Sequence, residues 1–491
     1  MKFHAIPPRR RFAPRGSKMM ENMVYFTKSI RLSNHEKREE AALRGNIDFT
    51  RGGITGQLIL FSIPIILGEL FQNLYNSVDS LVVGNFVGSH ALAAVSVCST
   101  LSNLLIGFFT GMSIGASVVV SRAFGGGNHE ELSSSIRVSF TFSVVLGMGL
   151  SVLGILLTPQ LVRLSAAPPE VYAEAVVYLR IYLAGLMFTV IYNIGAGILR
   201  AVGDSRHPFL ILLVSCCINI VLDLLFVVRL PLGVAGVGIA TVISQCVSVL
   251  LVCRRIFRYD RSFRLAFGEL ARRRGIIADV TGIGMPSGLQ SALISFSNLF
   301  VWRYIGGFGP AAMAGVGVAQ RLDKFVSMPC KSFGLTITTF VSQNPGAGNH
   351  ARARRGIQSC LLLGLGVTWG LGFLVYRFAV PCVSLFNSDP QVVEIGVAMM
   401  RTIVPLYFFL SIREVYLGVL RGYGNTRIPM LLSLIGMVGL RQVFLAVSMR
   451  LRPSLFNIYI CYPLAWGTTA AMIAAYYLLT RRRYEPDGQN V

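Results

Sequence analysis

The chain has 491 residues, of which 53% are hydrophobic and only 14% are charged. A soluble domain usually carries about a quarter charged residues, so this composition excludes an ordinary soluble protein and indicates a chain buried in a bilayer. The 45 basic and 22 acidic residues give a formal charge of +23. Such a charge suits a nucleic-acid partner unless the basic residues follow a membrane topology.

Apolar segments follow a basic N-terminal tail at residues 1–53. We count about twelve stretches of roughly 20 or more mainly apolar residues, each long enough to cross a hydrocarbon core of about 30 Å as a helix. The sequence therefore predicts an all-α polytopic membrane protein. In chain order the predicted spans are 57–83, 91–120, 134–158, 174–199, 208–228, 234–253, 276–303, 311–342, 356–380, 393–420, 428–449 and 455–480.

The basic residues of the loops predict the orientation. Loops on the side of the N-terminal tail hold 20 Lys or Arg, and the opposite loops hold six. Because basic loops stay on the cytoplasmic side, both termini are predicted to be cytoplasmic in the plasma (inner) membrane. The high positive charge is then a mark of topology, and no nucleic-acid partner is expected. The predicted units are an N-lobe at 54–253, a basic linker at 254–275, a C-lobe at 276–480 and a C-terminal tail at 481–491.

The chain repeats itself at a spacing of 221 residues. VGSHALAAVSV aligns with FGPAAMAGVGV, VSRAFGGGNH with VSQNPGAGNH, and LRAVGDSRHP with LRGYGNTRIP, all at one offset. Six spans per repeat enter the membrane from the same side, so two six-helix bundles related by a pseudo-twofold axis along the membrane normal are predicted. Transporters place their sites in the cleft between such bundles, whereas a duplicated structural or receptor-like membrane protein is the alternative. The glycines of the repeated loops are expected to permit tight turns.

Five polar residues share one face of the first span. They fall at i, i+3, i+4, i+7 and i+10, and each ionisable one costs about 2.5 to 3.5 kcal/mol to insert. The face is either a hydrogen-bonded seam between helices or part of a transport site. Pro64 precedes the face and is expected to kink this helix, as a gate or as a packing feature only. The five polar residues are Glu69, Gln72, Asn73, Asn76 and Asp79.

A second polar group lies in the fifth and sixth spans. Asn219 and Asp223 are one helical turn apart, and the hydroxyl of Thr241 follows in the next span. Carboxylate, amide and hydroxyl oxygens suit a small hard cation, and a desolvated carboxylate can instead carry a proton. The repeat partners of Asn219 and Asp223 are Leu440 and Phe444. A polar set in one lobe only is what a dedicated coupling site in the N-lobe requires.

The C-lobe has charged residues of its own. They either form buried ion pairs or handle substrate and protons. The nine cysteines are scattered without a CxxC motif and are expected to be small core residues without disulfides. No HExxH motif and no catalytic Ser, Cys or His constellation occurs, so an enzyme is not expected. The charged residues of these spans are Arg321, Asp323, Lys324, Lys331, Arg413, Glu414 and Arg441.

The segment YNSVDSLVVGNFVGSHALAAVSV, the turn LRAVGDSRHP with NIVLD and GVAGVGIAT downstream, and the second copy LRGYGNTRIP resemble the multidrug and toxic compound extrusion (MATE) family. The likeness covers roughly residues 54–480. It implies a secondary antiporter that exports amphipathic, often cationic drugs or metabolites in exchange for Na+ or H+ by alternating access of the two bundles. It also implies small amphipathic substrates and membrane lipid as partners, a monomer, and no cofactor apart from the coupling ion.

The resemblance also carries individual positions. Asp79, Asn219, Asp223 and Thr241 match the N-lobe cation or proton site of several branches, where Na+ is possible and no structural metal is expected, and Pro64 matches the bending proline. No acidic residue lies between 279 and 323, so coupling through a seventh-helix glutamate is not expected. A lipid-linked oligosaccharide flippase of the same superfamily, with a strongly cationic cavity, is the alternative. The expected substrate cavity comprises Glu69, Gln72, Asn73, Asn76, Glu414 and Asp323.

Overall fold

The structure is a computed structural model that describes residues 46–165, 168–260 and 263–484. All regular secondary structure in these ranges is helical, as the sequence predicted. The predicted N-terminal tail up to residue 45, residues 261–262 of the linker, and residues 485–491 of the C-terminal tail lie outside the described ranges.

The first repeat contains seven long helices. A π-helical turn, Leu225–Arg229, follows α6, and the short helix α8 lies in the basic linker. The helices are α1 (Ile54–Phe86), α2 (Ser89–Gly125), α3 (His129–Leu164), α4 (Pro169–Ala184), α5 (Leu186–Ala201), α6 (Arg206–Leu224), α7 (Gly233–Tyr259) and α8 (Phe267–Arg272).

The second repeat begins with two long helices. A 3-10 turn, Val404–Leu406, and a π-helical turn, Ile435–Leu440, interrupt later spans. The helices are α9 (Arg274–Gly306), α10 (Pro310–Gly346), α11 (His350–Arg377), α12 (Ala379–Ser384), α13 (Pro390–Ile403), α14 (Tyr407–Gly422), α15 (Arg427–Leu434), α16 (Arg441–Leu451) and α17 (Leu455–Tyr484).

Among the described residues, nine helical runs are long and apolar enough to cross a membrane. The pair α4 and α5, bent by 44°, makes a tenth span. Helices α9 and α10 have 33 and 37 residues and are therefore also long enough to cross, although they are more polar. Counting them gives the twelve spans that the sequence predicted.

The backbone repeats in the same way as the sequence. Six of its glycines with positive φ form three pairs that are 221 residues apart. Each sits at the start or end of a long helix, where a left-handed residue ends one helix or leads into the next. The turns predicted from the glycine-rich repeats are therefore confirmed. The pairs are Gly88 with Gly309, Gly127 with Gly348, and Gly203 with Gly424.

Each half of the chain packs its own apolar core. One core joins α2 to α7 and draws its buried residues from positions 82–280, and the other draws them from positions 301–466. A third cluster joins α1 to α10, α11, α14 and α17. This arrangement agrees with two bundles, and it places α1 in contact with both of them.

The two bundles meet at one end of the molecule, which we call the basic end because its loops carry the excess Lys and Arg. It is formed by the turns at residues 126–128, 202–205, 347–349 and 423–426. The C-terminal half of α2 packs there against the N-terminal half of α9. A β-carbon on Gly111 would collide with the backbone of Gly288, and one on Gly115 would collide with the backbone of Val280. Small residues thus let the two helices close this end.

Helix α1 runs without interruption through Pro64. Before this proline, Leu58 and Phe61 are buried against C-lobe side chains, and the Ser62 hydroxyl lies 2.8 Å from the Thr336 hydroxyl of α10. Beyond it, Phe71 packs on Phe209 of α6 in the N-lobe. Pro64 therefore marks the point where α1 passes from one bundle to the other.

Candidate functional site

Three helices bring together the residues predicted to couple an ion. Asp79 comes from α1, Asn219 and Asp223 from α6, and Thr241 from α7. With the Asn219 amide turned so that its nitrogen faces the carboxyl groups, Nδ2 donates to Asp79 Oδ1 at 3.1 Å and to Asp223 Oδ2 at 3.2 Å. The amide oxygen accepts from the backbone N–H of Thr241 at 3.3 Å. All four predicted residues therefore belong to one cluster.

The local sequence explains this meeting. Asn219 and Asp223 lie at i and i+4, on one face of α6. The π-helical turn that ends this span and Gly233, with φ of 57°, turn the chain so that α7 runs back beside α6. Gly236 has room only for a hydrogen against Phe226, which allows α7 to approach closely.

The cluster is shielded from solvent within the N-lobe. Asp223 has 0% of its surface exposed and Asn219 has 1%. Within the described part of the chain, Oδ1 of Asp223 has no hydrogen-bond partner. Asp79 and Asp223 also lie within hydrogen-bonding reach of each other. A hydrogen bond between two carboxyl groups requires a proton on one of them, and two buried charges of like sign require a compensating positive charge.

Tyr75 is a member of this cluster that sequence reasoning missed. Its hydroxyl is within hydrogen-bonding reach of the Asp79 carboxyl group and of the Thr241 side chain. Tyr75 and Asp79 are one turn apart on α1, so the i, i+4 spacing was the available signal. The Thr241 hydroxyl itself donates to the carbonyl of Val237 at 3.0 Å, which leaves its lone pairs free to accept.

The rest of the polar face of α1 lies nearer the space between the bundles, which we call the cleft. Glu69 interacts electrostatically with Lys331 and Glu414 of the C-lobe and with Arg200 of the N-lobe. Gln72 is exposed, and Asn73 is half-buried with its amide donating to the carbonyl of Glu69 at 3.0 Å. The side chain of Asn76 lies outside the described part of the structure. The predicted face therefore divides, because Asp79 enters the N-lobe cluster and Glu69 looks toward the C-lobe.

The charged C-lobe residues do not form one common network of ion pairs. The hydroxyl of Tyr407 donates to Asp323 at 2.5 Å, and Glu414 pairs with its neighbour Arg413 at 3.1 Å. Arg441, only 1% exposed, donates to the Ser297 hydroxyl at 2.8 Å. Its guanidinium also stacks over the ring of Tyr462, with 5.9 Å between the guanidinium carbon and the ring centroid.

Residues 46–53, just before α1, cross the basic end of the molecule. From the sequence alone they were predicted to be the end of the N-terminal tail. The backbone N–H of Phe49 donates to Gln343 of α10 at 3.1 Å, and the Phe49 ring is fully buried. Arg352 of α11 donates to the Phe49 carbonyl at 2.7 Å. On the other side, the N–H of Ile47 donates to the carbonyl of Gly203 in the N-lobe at 3.0 Å. Residues 46–53, which we call the strap, therefore bind both bundles.

Comparisons with known proteins agree with this architecture. The MatE family model matches residues 64–225 and again residues 286–447, one match in each repeat. YoeA of Bacillus subtilis, described as a probable multidrug resistance protein, is 27% identical over 428 residues, which cover 85% of this chain and 92% of that protein. YpnP of the same organism, described in the same words, is 29% identical over 402 residues, which cover 82% and 89%.

A solved structure shares the fold. It is described as an outward-facing conformation of a multidrug resistance MATE family transporter, and it superposes with a TM-score of 0.81 at 23% identity. The alignment covers 89% of this chain and 97% of that chain. With a family model matched over most of its length in two copies, a membrane-spanning all-helical fold and two bundles, this chain belongs to the MATE family of multidrug efflux transporters.

Proposed function

We propose that this protein is a secondary antiporter that exports amphipathic, often cationic compounds across the plasma (inner) membrane in exchange for protons or sodium ions. The observation that carries this proposal is the pair of carboxyl groups, Asp79 and Asp223, joined by the amide of Asn219 in a buried cluster. Such a pair changes its ionisation or its bound cation when its surroundings change. A conformational change of the helices around it can therefore be coupled to ion uptake and release.

The geometry favours a proton as the coupling ion. Asp79 and Asp223 lie within hydrogen-bonding reach of each other, and a hydrogen bond between two carboxyl groups needs a proton that they share. Binding of Na+ would require both carboxyl groups to be ionised, with the amide oxygen of Asn219 as a further ligand. A proton needs no further ligand, because it can bridge the two carboxyl groups directly.

Two features support alternating access as the mechanism. Small residues such as Gly111 and Gly288 bring the bundles together at the basic end, and a rocking motion would have to separate the same surfaces. Helix α1 is fixed to the C-lobe before Pro64 and to the N-lobe beyond it. Protonation of Asp79 would then act on the helix that joins the bundles. We place the basic end and both termini in the cytoplasm, so the closed basic end corresponds to an outward-facing state.

The alternative of a lipid-linked oligosaccharide flippase is not favoured. Two relatives that cover more than four fifths of this chain are described as probable multidrug resistance proteins. Two arginines of the C-lobe spans are already engaged: Arg413 is paired with Glu414, and Arg441 is buried against Ser297 and Tyr462. Neither of these two arginines is therefore free to bind a large anionic headgroup.

The proposal is tested with the full chain in liposomes that contain ethidium as the transported dye. A proton gradient and a sodium gradient are imposed separately, and dye movement is followed by fluorescence. We expect movement under the proton gradient and little under the sodium gradient alone. Movement driven only by sodium would refute the assignment of the proton, and movement driven by neither gradient would refute ion-coupled antiport.

Variants connect the activity to the cluster. Asp79→Asn and Asp223→Asn should each slow gradient-driven ethidium movement by at least about tenfold, because the amide cannot take up and release a proton at neutral pH. Asp389→Asn is the matched control. Asp389 lies at the N-terminus of α13, where either side chain can accept the hydrogen bond from Gln391. If both cluster variants transport as fast as the parent, the coupling site has been assigned to the wrong residues.

A further inference from the structure

The lysines of this protein have an unusual distribution. The chain contains 39 arginines and six lysines, and four of the lysines lie before residue 38. The other two, Lys324 and Lys331, are both in α10, together with Arg321. All three side chains are exposed in the interior of a helix that crosses the membrane. A basic residue at this depth needs a functional or structural reason.

These three residues share one face of α10. Positions 321, 324 and 331 are at i, i+3 and i+10, within one side of the helix. Leu335 follows Lys331 by one turn on this face and packs against Ile114 and Val118 of α2, in the other bundle. This face of α10 therefore contacts the N-lobe at Leu335, near the basic end. Farther from the basic end, the same face carries the three basic residues. It is therefore the face that looks into the cleft.

Both ends of this basic stretch are covered, and the stretch itself is open. At one end Leu335 packs against α2. At the other end, Gly317 lies under the ring of Trp302 from α9, which a β-carbon would meet at 3.7 Å. Between them the rise from residue 321 to residue 331 is about 15 Å. This length matches a small organic molecule rather than a single ion.

The carboxyl groups nearby do not pair with these basic residues. Among the residues that the structure describes, none forms an ion pair with Arg321, Lys324 or Lys331. Asp323 is turned to the far side of α10, where it accepts the hydrogen bond from Tyr407. Glu414 is paired with Arg413. Positive charge on the cleft face is therefore left available for a ligand.

We propose that Arg321, Lys324 and Lys331 form an anion-binding wall of the substrate cleft, and that the exported compounds include soluble amphipathic molecules with at least one carboxylate, sulfonate or phosphate group. Phe325, one turn after Arg321 and 38% exposed, offers an apolar surface on the same side of the helix. Glu69 of α1 faces this wall across the cleft and interacts electrostatically with Lys331. A zwitterionic compound can then place its cationic group near Glu69 and its anionic group on the wall.

This inference refines the substrate class of the proposed antiporter and rests on that function only for the direction of transport. Binding can be measured without any gradient. Carboxyfluorescein and rhodamine 6G share a xanthene body but carry opposite charges, so they separate recognition of charge from recognition of shape. Their binding to the full chain in neutral detergent is followed by fluorescence anisotropy.

We expect carboxyfluorescein to bind and the double variant K324Q/K331Q to weaken its binding by at least tenfold. Rhodamine 6G should bind the double variant as well as it binds the parent, or more tightly. K324R/K331R keeps the charge and should keep carboxyfluorescein binding within about threefold. Arg377→Gln removes an exposed charge at the other end of the neighbouring helix α11 and serves as the control. If K324Q/K331Q binds carboxyfluorescein as tightly as the parent does, the proposed anion-binding wall is wrong. It is also wrong if the parent binds rhodamine 6G but not carboxyfluorescein.

Chemical labelling provides a second readout that does not depend on variants. The parent protein is acetylated with an amine-reactive ester, with and without carboxyfluorescein, and the labelled peptides are quantified by mass spectrometry. Lys324 and Lys331 should be protected at least threefold by the dye, whereas the four lysines of the tail serve as internal references. Equal labelling of all six with and without the dye would contradict the proposal.

An anionic lipid headgroup presents similar chemistry, and competition separates the two sources. Unlabelled fluorescein should displace carboxyfluorescein, and neither phosphatidylglycerol nor phosphatidylcholine should do so at the same concentration. If phosphatidylglycerol displaces the dye as effectively as fluorescein does, the wall binds lipid and the assignment to a soluble substrate is wrong. Ethidium transport under a proton gradient would survive any of these failures, so the antiport proposal is tested independently.

Discussion

The side-chain amide of Gln343 donates a hydrogen bond to the backbone carbonyl of Ala201 at 2.7 Å and so connects the two bundles at the basic end. The oxygen of the same amide accepts the backbone N–H of Phe49 in the strap at 3.1 Å. Gln343 has 0% of its surface exposed. One buried side chain therefore links α5, α10 and the strap, and separation of the bundles must break its bonds.

Replacing Gln343 should loosen this end of the molecule. Gln343→Leu removes two hydrogen bonds and leaves the Ala201 carbonyl and the Phe49 N–H without partners, at a cost of about 1 to 3 kcal/mol for each buried group. We expect amide hydrogens in residues 46–53 and in the last turn of α5 to exchange at least fivefold faster by mass spectrometry. Gln391→Leu, at an exposed position of α13, is the control. Unchanged exchange would show that the strap is held by other contacts.

The close packing of α2 on α9 gives a second prediction. Gly111→Ala adds a methyl group where the backbone of Gly288 already lies, so the basic end cannot close as it does here without moving the helices apart. Overpacking of this kind costs about 1 to 3 kcal/mol. We expect slower ethidium transport and a lower melting temperature.

The control for this change lies on α9 itself but outside the contact with α2. Gly282→Ala in α9 adds its methyl group to open space and should leave transport and melting unchanged. If Gly111→Ala and Gly282→Ala behave alike, the contact between α2 and α9 does not limit the transport cycle.

Pro64 should matter for movement more than for folding. Pro64→Ala restores the backbone N–H that the proline lacks and removes a clash with the preceding turn, which together are worth about 3 kcal/mol in a helix interior. We expect a melting temperature equal to or above that of the parent and transport that is at least fivefold slower, because α1 becomes stiffer between the two bundles. Pro159→Ala, inside α3 of the N-lobe, is the matched control and should transport normally. If Pro64→Ala and Pro159→Ala transport ethidium equally fast, Pro64 does not act as a gate.

Asn219 should be required although it carries no charge. Asn219→Leu, which introduces the residue found at the equivalent position of the C-lobe, removes the amide that joins Asp79 to Asp223. We expect proton-driven ethidium movement to fall at least tenfold, with both carboxyl groups still present. Asn193→Leu in α5 is the control, because the Asn193 amide donates to the backbone carbonyl of Thr189 in its own helix and to no other group in the described ranges. Normal transport by Asn219→Leu would mean that the carboxyl groups act without this bridge.

Much of the candidate site could be predicted because its residues are polar or charged within otherwise apolar segments. Asp79 and Asp223 stand out in apolar segments, and a carboxyl group inside a membrane has to meet a partner or water. Tyr75 was missed because a tyrosine is ordinary in a membrane helix, and its role depends on the position of Asp79 and Thr241. The strap was missed for a similar reason, since Phe49 lies in a polar segment and becomes buried only when α1, α10 and α11 pack around it.

The sequence by itself determined the helical spans, the duplication at 221 residues and the presence of a set of polar residues, Asn219 and Asp223, in the membrane spans of one lobe only. These are local or periodic properties, since hydropathy, helical spacing and the glycine turns act within one element or its repeat. Only the tertiary structure decided that the basic end is closed, that α1 divides its packing near Pro64, and that Lys324 and Lys331 form no ion pair with any residue in the described ranges. Contacts such as that between Gln343 and Ala201 join residues that are 142 positions apart, and no local pattern records which distant helices will meet.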